Sequence, residues 1–217
     1  MLGRRACLLL SCSVLLGACQ FNSISGSGKI ATEPRTVSGF SAVSLSGSGR
    51  LIIEQTGAES LTVTTDDNLL PLIRTQVNGN ILELGSRDPM TNLRPTDDIV
   101  FTMTVRQLDR LDVSGSGKVD VKRLTASRLA IDISGSGEVA AQGASNDLNL
   151  SISGSGEYQG EQLRSQRARV EISGSGGALV AAAEALNVSV SGSGAVEYIG
   201  DPKVTQQVSG SGSVRRR

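Results

Sequence analysis

The tetrapeptide Ser-Gly-Ser-Gly begins at Ser25, Ser46, Ser114, Ser134, Ser153, Ser173, Ser191 and Ser209, and from Ser114 onward the steps are 20, 19, 20, 18 and 18 residues. A Gly/Ser tract ordinarily reads as a flexible linker, but a linker has no reason to recur on a schedule. Self-similarity near twenty residues is the mark of stacked repeats. Parity points the same way. Leu111, Val113, Gly115, Gly117, Val119 and Val121 fall on one face of an extended chain, with Asp112, Ser114, Ser116, Lys118 and Asp120 on the other. The same phase carries Ile131, Ile133, Gly135, Gly137 and Val139, then Leu150, Ile152, Gly154, Gly156 and Tyr158. It continues through Val170, Ile172, Gly174 and Gly176, and through Val188, Val190, Gly192, Gly194 and Val196.

Each copy is therefore expected to be a strand, a bend and a second strand. Both glycines of the tract are predicted to face inward at the bend, where a side chain would collide with the coil above or below. Glycine also permits the positive φ that such a bend can require. The serines face outward, where stacked neutral groups are tolerated and stacked like charges would repel. One copy cannot bury its own apolar face, whereas a stack buries a continuous core of Val, Ile and Leu. The expected fold is all-β: a parallel β-solenoid whose six coils from Leu111 onward rise roughly 25–30 Å at the strand spacing of about 4.8 Å.

The stretch between Ser46 and Ser114 departs from the repeat. Ser60 to Thr64 alternates as a strand, and Asp66 to Ile73 suits one helical turn limited by Pro71. Asn78-Gly79 between apolar alternations signals a hairpin. Ser86 to Asp98 reads as a polar loop with two prolines, and Ile99 to Val105 as another strand. The first half is thus β with a hairpin, the second the regular solenoid.

The N-terminus carries a different signal. Arg4 and Arg5 precede an apolar or small run from Ala6 to Ala18, about the length of a secretory h-region and too short to span a bilayer. The run ends in Leu16-Gly17-Ala18-Cys19, which resembles the lipobox of bacterial lipoproteins. The resemblance implies diacylglyceryl transfer to the Cys19 thiol, cleavage between Ala18 and Cys19, and acylation of the new amino group. An ordinary secretory signal that happens to hold a cysteine is the alternative. Cysteine usage favours the lipid: Cys7 and Cys12 leave with the signal, and a lone unmodified thiol is unusual in an exported protein. The organisation expected is a signal peptide at 1–18, a lipidated N-terminus and short tether at 19–34, and one solenoid domain at 35–217. No later stretch is apolar enough for a transmembrane helix, so lipid is the only membrane attachment expected. Gln20 after Cys19 points to the outer membrane under the enteric-type sorting rule.

Three features together, the VSGSG-type strands, the DDNLLPLIRTQVNGNILEL segment and the VRQLDRLDVSGSG lead into the second half, resemble the head GIN domain of putative auto-transporter adhesins. The resemblance covers roughly Arg35 to Val214. It implies a β-helical fold and adhesin-like surface character, and it supplies no agreed catalytic or binding residues.

Composition then narrows the chemistry. The chain has no His, which removes the commonest general base and metal ligand at neutral pH and excludes Ser-His-Asp and Cys-His catalysis. Lys+Arg and Asp+Glu both number 21, so the basic excess of a nucleic-acid binder is missing. The turns carry no carboxylate, which argues against the calcium of β-rolls. Asp66, Asp67, Asp88, Asp97 and Asp98 are candidates for a carbohydrate-active β-helix site, but their default reading is solvated turn residues. Tyr158 and Tyr198 share the inward phase, which leaves few aromatic platforms for a glycan. Arg215, Arg216 and Arg217 read as a solvated end that discourages edge-to-edge pairing. The function expected is a non-enzymatic, adhesin-like or interaction module on the cell envelope, with a protein or glycan ligand and no cofactor or metal beyond the lipid on Cys19. A structural, periplasm-facing lipoprotein and a carbohydrate-active enzyme are the rivals.

Overall fold

The computed structural model describes residues 23–217. The signal peptide, Ala18 and Cys19 lie outside the described residues. In chain order the strands of the first half are β1 (Ser23–Ser25), β2 (Ile30–Arg35), β3 (Ala42–Gly47), β4 (Arg50–Gln55), β5 (Ser60–Asp66), β6 (Ile73–Asn78), β7 (Ile81–Ser86), β8 (Asn92–Arg94) and β9 (Val100–Val105). A single 3-10 turn, Leu70–Leu72, stands between β5 and β6 with Pro71 near its start. The second half runs β10 (Arg110–Gly115), β11 (Lys118–Gly135), β12 (Glu138–Gly154), β13 (Glu157–Gly174), β14 (Gly177–Gly192), β15 (Ala195–Ile199), β16 (Lys203–Gly210) and β17 (Ser213–Arg216).

The second half is a parallel β-solenoid in which each SGSG tract lies on the next. Val113 pairs with Ile133, Ile133 with Ile152, Ile152 with Ile172, and Ile172 with Val190. These side chains are at most 2% exposed and form a thin continuous core. The six SGSG corners from Ser114 enclose five turns, not six, because a coil is the chain between two corners. Each coil also bends twice more. The pairing of β11 with β12 slips between Val121 and Leu124, where Arg123 takes φ 55°, and skips a residue after Ala126. At this last bend Ser145 and Ser165 point inward and meet at 3.3 Å. Ion pairs run between coils on the outside: Lys118 with Glu138 at 3.1 Å, Arg110 with Asp132 at 2.8 Å, and Arg167 with Asp147 at 2.7 Å.

The first half extends the same stack. β3 lies beside β10, and β4 beside β11, in parallel register. β7 and β9 then form the next layer, beside β3 and β4 respectively. The expected hairpin is β6 with β7, but Asn78 pairs with Ile81, so the two-residue loop is Gly79-Asn80. Gly79 has φ 60°, the first central position of a type II′ turn, so glycine is needed one place earlier than the Asn-Gly signal puts it.

The tether expected over 19–34 is shorter than its boundaries suggest. β1 pairs with β8, and β2 pairs antiparallel with β5, so the domain starts at Ser23 at the latest. Ser-Ile-Ser over 23–25 and Ile-Ala-Thr-Glu-Pro-Arg over 30–35 carry too few apolar residues, and no sustained alternation, to mark these as strands.

Candidate functional site

The glycines explain how a corner is built, and the one corner without them opens a pocket. Parity puts both glycines of each tract inward, but the structure separates them. Gly115, Gly135, Gly154, Gly174 and Gly192 lie on the outer side of the bend with φ between 107° and 126°. Their constraint is backbone against backbone: a Cβ on Gly135 would stand 2.7 Å from the carbonyl oxygen of Gly115. The extended alternation fails here because a positive φ breaks the two-residue period. Gly117, Gly137, Gly156, Gly176 and Gly194 are buried, and a Cβ on Gly137 would meet the Val113 side chain at 2.8 Å. The amide after each first glycine reaches back one coil, as from Ser136 N to Gly115 O at 2.9 Å. The serines between them are exposed, and in the column of serines before the first glycine Ser114 donates to Ser46 at 3.2 Å.

In the β7–β9 layer the corner is missing. Gly85 lies beside Ser46, and Val100 pairs with Arg50, so residues 86–99 stand where residues 47–49 stand in the neighbouring coil. Ile99 occupies the place of the buried second glycine, and its carbonyl accepts Arg50 N at 2.8 Å as Gly49 O accepts Lys118 N. No further corner lies beneath Ile99 to forbid its side chain. The splayed loop and the open corner enclose a cavity of about 600 Å³. Ile73, Leu84, Leu93, Ile99 and Phe101 give it an apolar floor, and Ser46, Arg74, Glu83 and Asp112 reach its rim. Insertions that interrupt a repeat commonly mark a solenoid's binding face. Sequence parity does not reveal this pocket. Its signal is the long interval from Ser46 to Ser114, together with an Ile where the corner pattern demands Gly.

Asp66 locks the N-terminal arm to this loop. It is not a solvated turn residue: its side chain is fully buried and accepts from Gly28 N at 2.7 Å, Thr96 N at 2.8 Å and Thr96 Oγ1 at 2.8 Å. The Thr96 backbone N–H holds its carboxyl below the ordinary aspartate value, against the desolvation that burial imposes. Asp67 pairs with Lys29 at 3.3 Å, and Asp88 accepts from Met90 N and the Thr91 hydroxyl. Three of the five acids weighed for catalysis thus hold local structure, while Asp97 and Asp98 are exposed. Tyr158 is fully buried, its hydroxyl has no partner, and burial pushes its phenol up. Tyr198 is partly buried against the core. Arg215, Arg216 and Arg217 fold back onto Glu197, Asp201 and Glu161. Among the described residues no three Asp, Glu or Cys side chains gather as a metal site, and no helix is long and apolar enough to cross a membrane.

Comparison with known proteins agrees with this architecture. A putative adhesin from Bacteroides fragilis NCTC 9343 superposes with a TM-score of 0.72 at 23% identity, covering 89% of this chain and all of that one. A "putative lipid binding protein" from Parabacteroides distasonis ATCC 8503 gives 0.63 at 25% identity, covering 90% and 100%. A putative adhesin from Parabacteroides merdae ATCC 43184 gives 0.60 at 19%, covering 90% and 99%. A search of curated proteins returns no match. The profile of one family matches residues 39–202, most of the chain. The chain therefore belongs to the family described as "Putative auto-transporter adhesin, head GIN domain".

Proposed function

We propose that this protein is a lipid-anchored, non-enzymatic interaction module of the cell envelope, exported by its signal peptide and held by lipid on Cys19 to the outer membrane. The observation that carries the reading is the interrupted corner. The Ser-Gly-Ser-Gly corner stacks coil on coil from Ser46 to Ser209, and the β7–β9 layer beside it lacks that corner and builds a cavity there, on the layer to which the N-terminal arm is stitched. The adhesin description of the family supports an exported, ligand-engaging role. The lack of His and the structural use of Asp66, Asp67 and Asp88 support binding over catalysis. The lipobox Leu16-Gly17-Ala18-Cys19 supports the anchor, and two acyl chains suffice for stable attachment at about 0.8 kcal/mol per buried CH₂.

Intact-mass analysis of the protein from a membrane fraction tests the anchor. The expected product begins at Cys19 with added acyl mass, and Cys19→Ala leaves an unprocessed or soluble form. A membrane-fraction product beginning at an unmodified Cys19 ends the lipoprotein reading. Protease treatment of intact cells separates a surface module, which is cleaved, from a periplasm-facing structural lipoprotein, which is spared.

A further inference from the structure

We infer that the open corner is a binding site for one fatty-acyl chain with an anionic head, in practice a long-chain free fatty acid. The cavity has the size and character of small-molecule sites, which run from about 300 to 1,000 Å³ with an apolar lining and a few placed polar groups. Its floor is aliphatic and aromatic, formed by Ile73, Leu84, Leu93, Ile99 and Phe101. Such a floor suits a hydrocarbon chain and offers little to a hydroxylated sugar.

The head group is assigned by charge. Arg74 lines both this cavity and a smaller adjoining depression, which it shares with Thr75, Gln76 and Arg87. Arg87 thus belongs to the adjoining depression, which meets the cavity at Arg74, and Arg74 Nη2 donates to the Arg87 carbonyl at 3.1 Å. Glu83 lies 3.4 Å from Arg74 and offsets part of its charge, and Asp112 at the rim is held by Arg110 at 2.9 Å. Arg87 forms no ion pair among the described residues, and its Nε donates to the Ile73 carbonyl at 3.3 Å. Its charge is the one left for an incoming carboxylate, which accepts paired guanidinium N–H bonds.

A second observation concerns access. Met90, two-thirds exposed, follows Pro89, which lines the cavity. The N-terminal arm ends at the same place. Ser23 pairs with Asn92 in parallel, so the chain enters beside the cavity rim. Cys19 lies four residues upstream, a reach of at most about 14 Å.

The test uses the chain from Gln20 onward, which contains every described strand and lacks Cys19, so its result is independent of the anchor. Palmitate and methyl palmitate are titrated by displacement of a fluorescent fatty-acid probe, with thermal unfolding of each variant as the control for folding. Saturable one-to-one binding is expected, tighter for palmitate by about tenfold or more, the worth of one charge-assisted hydrogen bond. Leu93→Glu, at a partly exposed position of β8, should weaken both ligands at least tenfold. Arg87→Glu, at an exposed position, should abolish the preference for palmitate and leave the ester unchanged. Absence of saturable binding, or binding indifferent to Leu93→Glu, overturns the site. Equal affinity for palmitate and its ester in the unsubstituted chain overturns the anionic head.

Discussion

The carbonyl oxygen of Gly135 lies 2.7 Å from the point where a Cβ on Gly154 would stand, and Gly154 holds φ 113°. Both facts forbid a side chain, one through the neighbouring coil and one through the residue's own backbone. Gly154→Ala is therefore expected to destabilise the domain by roughly 2–4 kcal/mol, the sum of a strained backbone and local overpacking. Ser155 beside it is exposed, and Ser155→Thr should cost no more than about 0.5 kcal/mol. Chemical denaturation of the two variants gives the comparison. Equal, negligible effects would mean that the tract is a linker after all.

The sequence carried this corner almost completely, and the reason is physical. Val113, Ile133, Ile152, Ile172 and Val190 stack in one column, so each coil repeats the burial pattern of the last and the period stands out. The phase of Gly154 is misplaced because alternation assumes negative φ throughout, and two glycines in one tract do not reveal which of them leaves that region. The hairpin, the turn at Leu70–Leu72 and the strand at Val100–Val105 were also legible, each through its own local chemistry. The open corner was not. It arises from a missing repeat, and its floor joins Ile73, Leu84 and Ile99 only because β6, β7 and β9 come together in space. Asp66 was misread for a related reason: its partners Gly28 and Thr96 are 38 and 30 residues away.

Asp66 gives a pH dependence with a definite sign. Its folded pKa lies below the ordinary value of 3.8 because Thr96 and Gly28 donate to the carboxylate. The stability it contributes is present above that ordinary value and is lost as pH falls through the depressed folded one. Denaturation midpoints measured between pH 7 and 2.5 should show Asp66→Asn less stable than the unsubstituted chain at pH 7. The difference should shrink once pH drops below about 4, where the unfolded carboxyl protonates. A difference that stays constant to pH 2.5 would show that the carboxylate charge contributes nothing to the clasp.

Tyr158 places a hydroxyl in the core with nothing to bond. An unsatisfied buried polar group costs about 1–3 kcal/mol, and removing it leaves the ring's burial intact. Tyr158→Phe should accordingly raise stability by about 1 kcal/mol, read from urea denaturation at pH 7. The same burial raises the phenol's pKa, so stability is full below the unfolded value of about 10 and falls as pH rises beyond it. In the phenylalanine variant that alkaline loss should be smaller. Destabilisation by Tyr158→Phe would reveal a hydrogen-bond partner, such as a buried water, that the hydroxyl needs.

The open corner can be closed by borrowing the pattern of its neighbour. In the β3–β4 layer Ser46 is followed by Gly47, Ser48 and Gly49 before Arg50. In the β7–β9 layer Gly85 is followed by residues 86–98 and Ile99 before Val100. Replacing residues 86–98 with Gly-Ser restores the regular corner length and deletes β8, which lines the cavity through Asn92 and Leu93. β10 to β17 do not pair with this loop, and in a stack each coil depends on its immediate neighbours. Hydrogen exchange from Leu111 onward should therefore be unchanged, while amides of β1 and of Gly26 lose protection because their partners in the loop are gone. Fatty-acid binding should vanish in the same variant. Loss of protection throughout the stack would show that the loop is a structural cap and not an insertion. Binding that survives its removal would place the acyl site elsewhere on the solenoid.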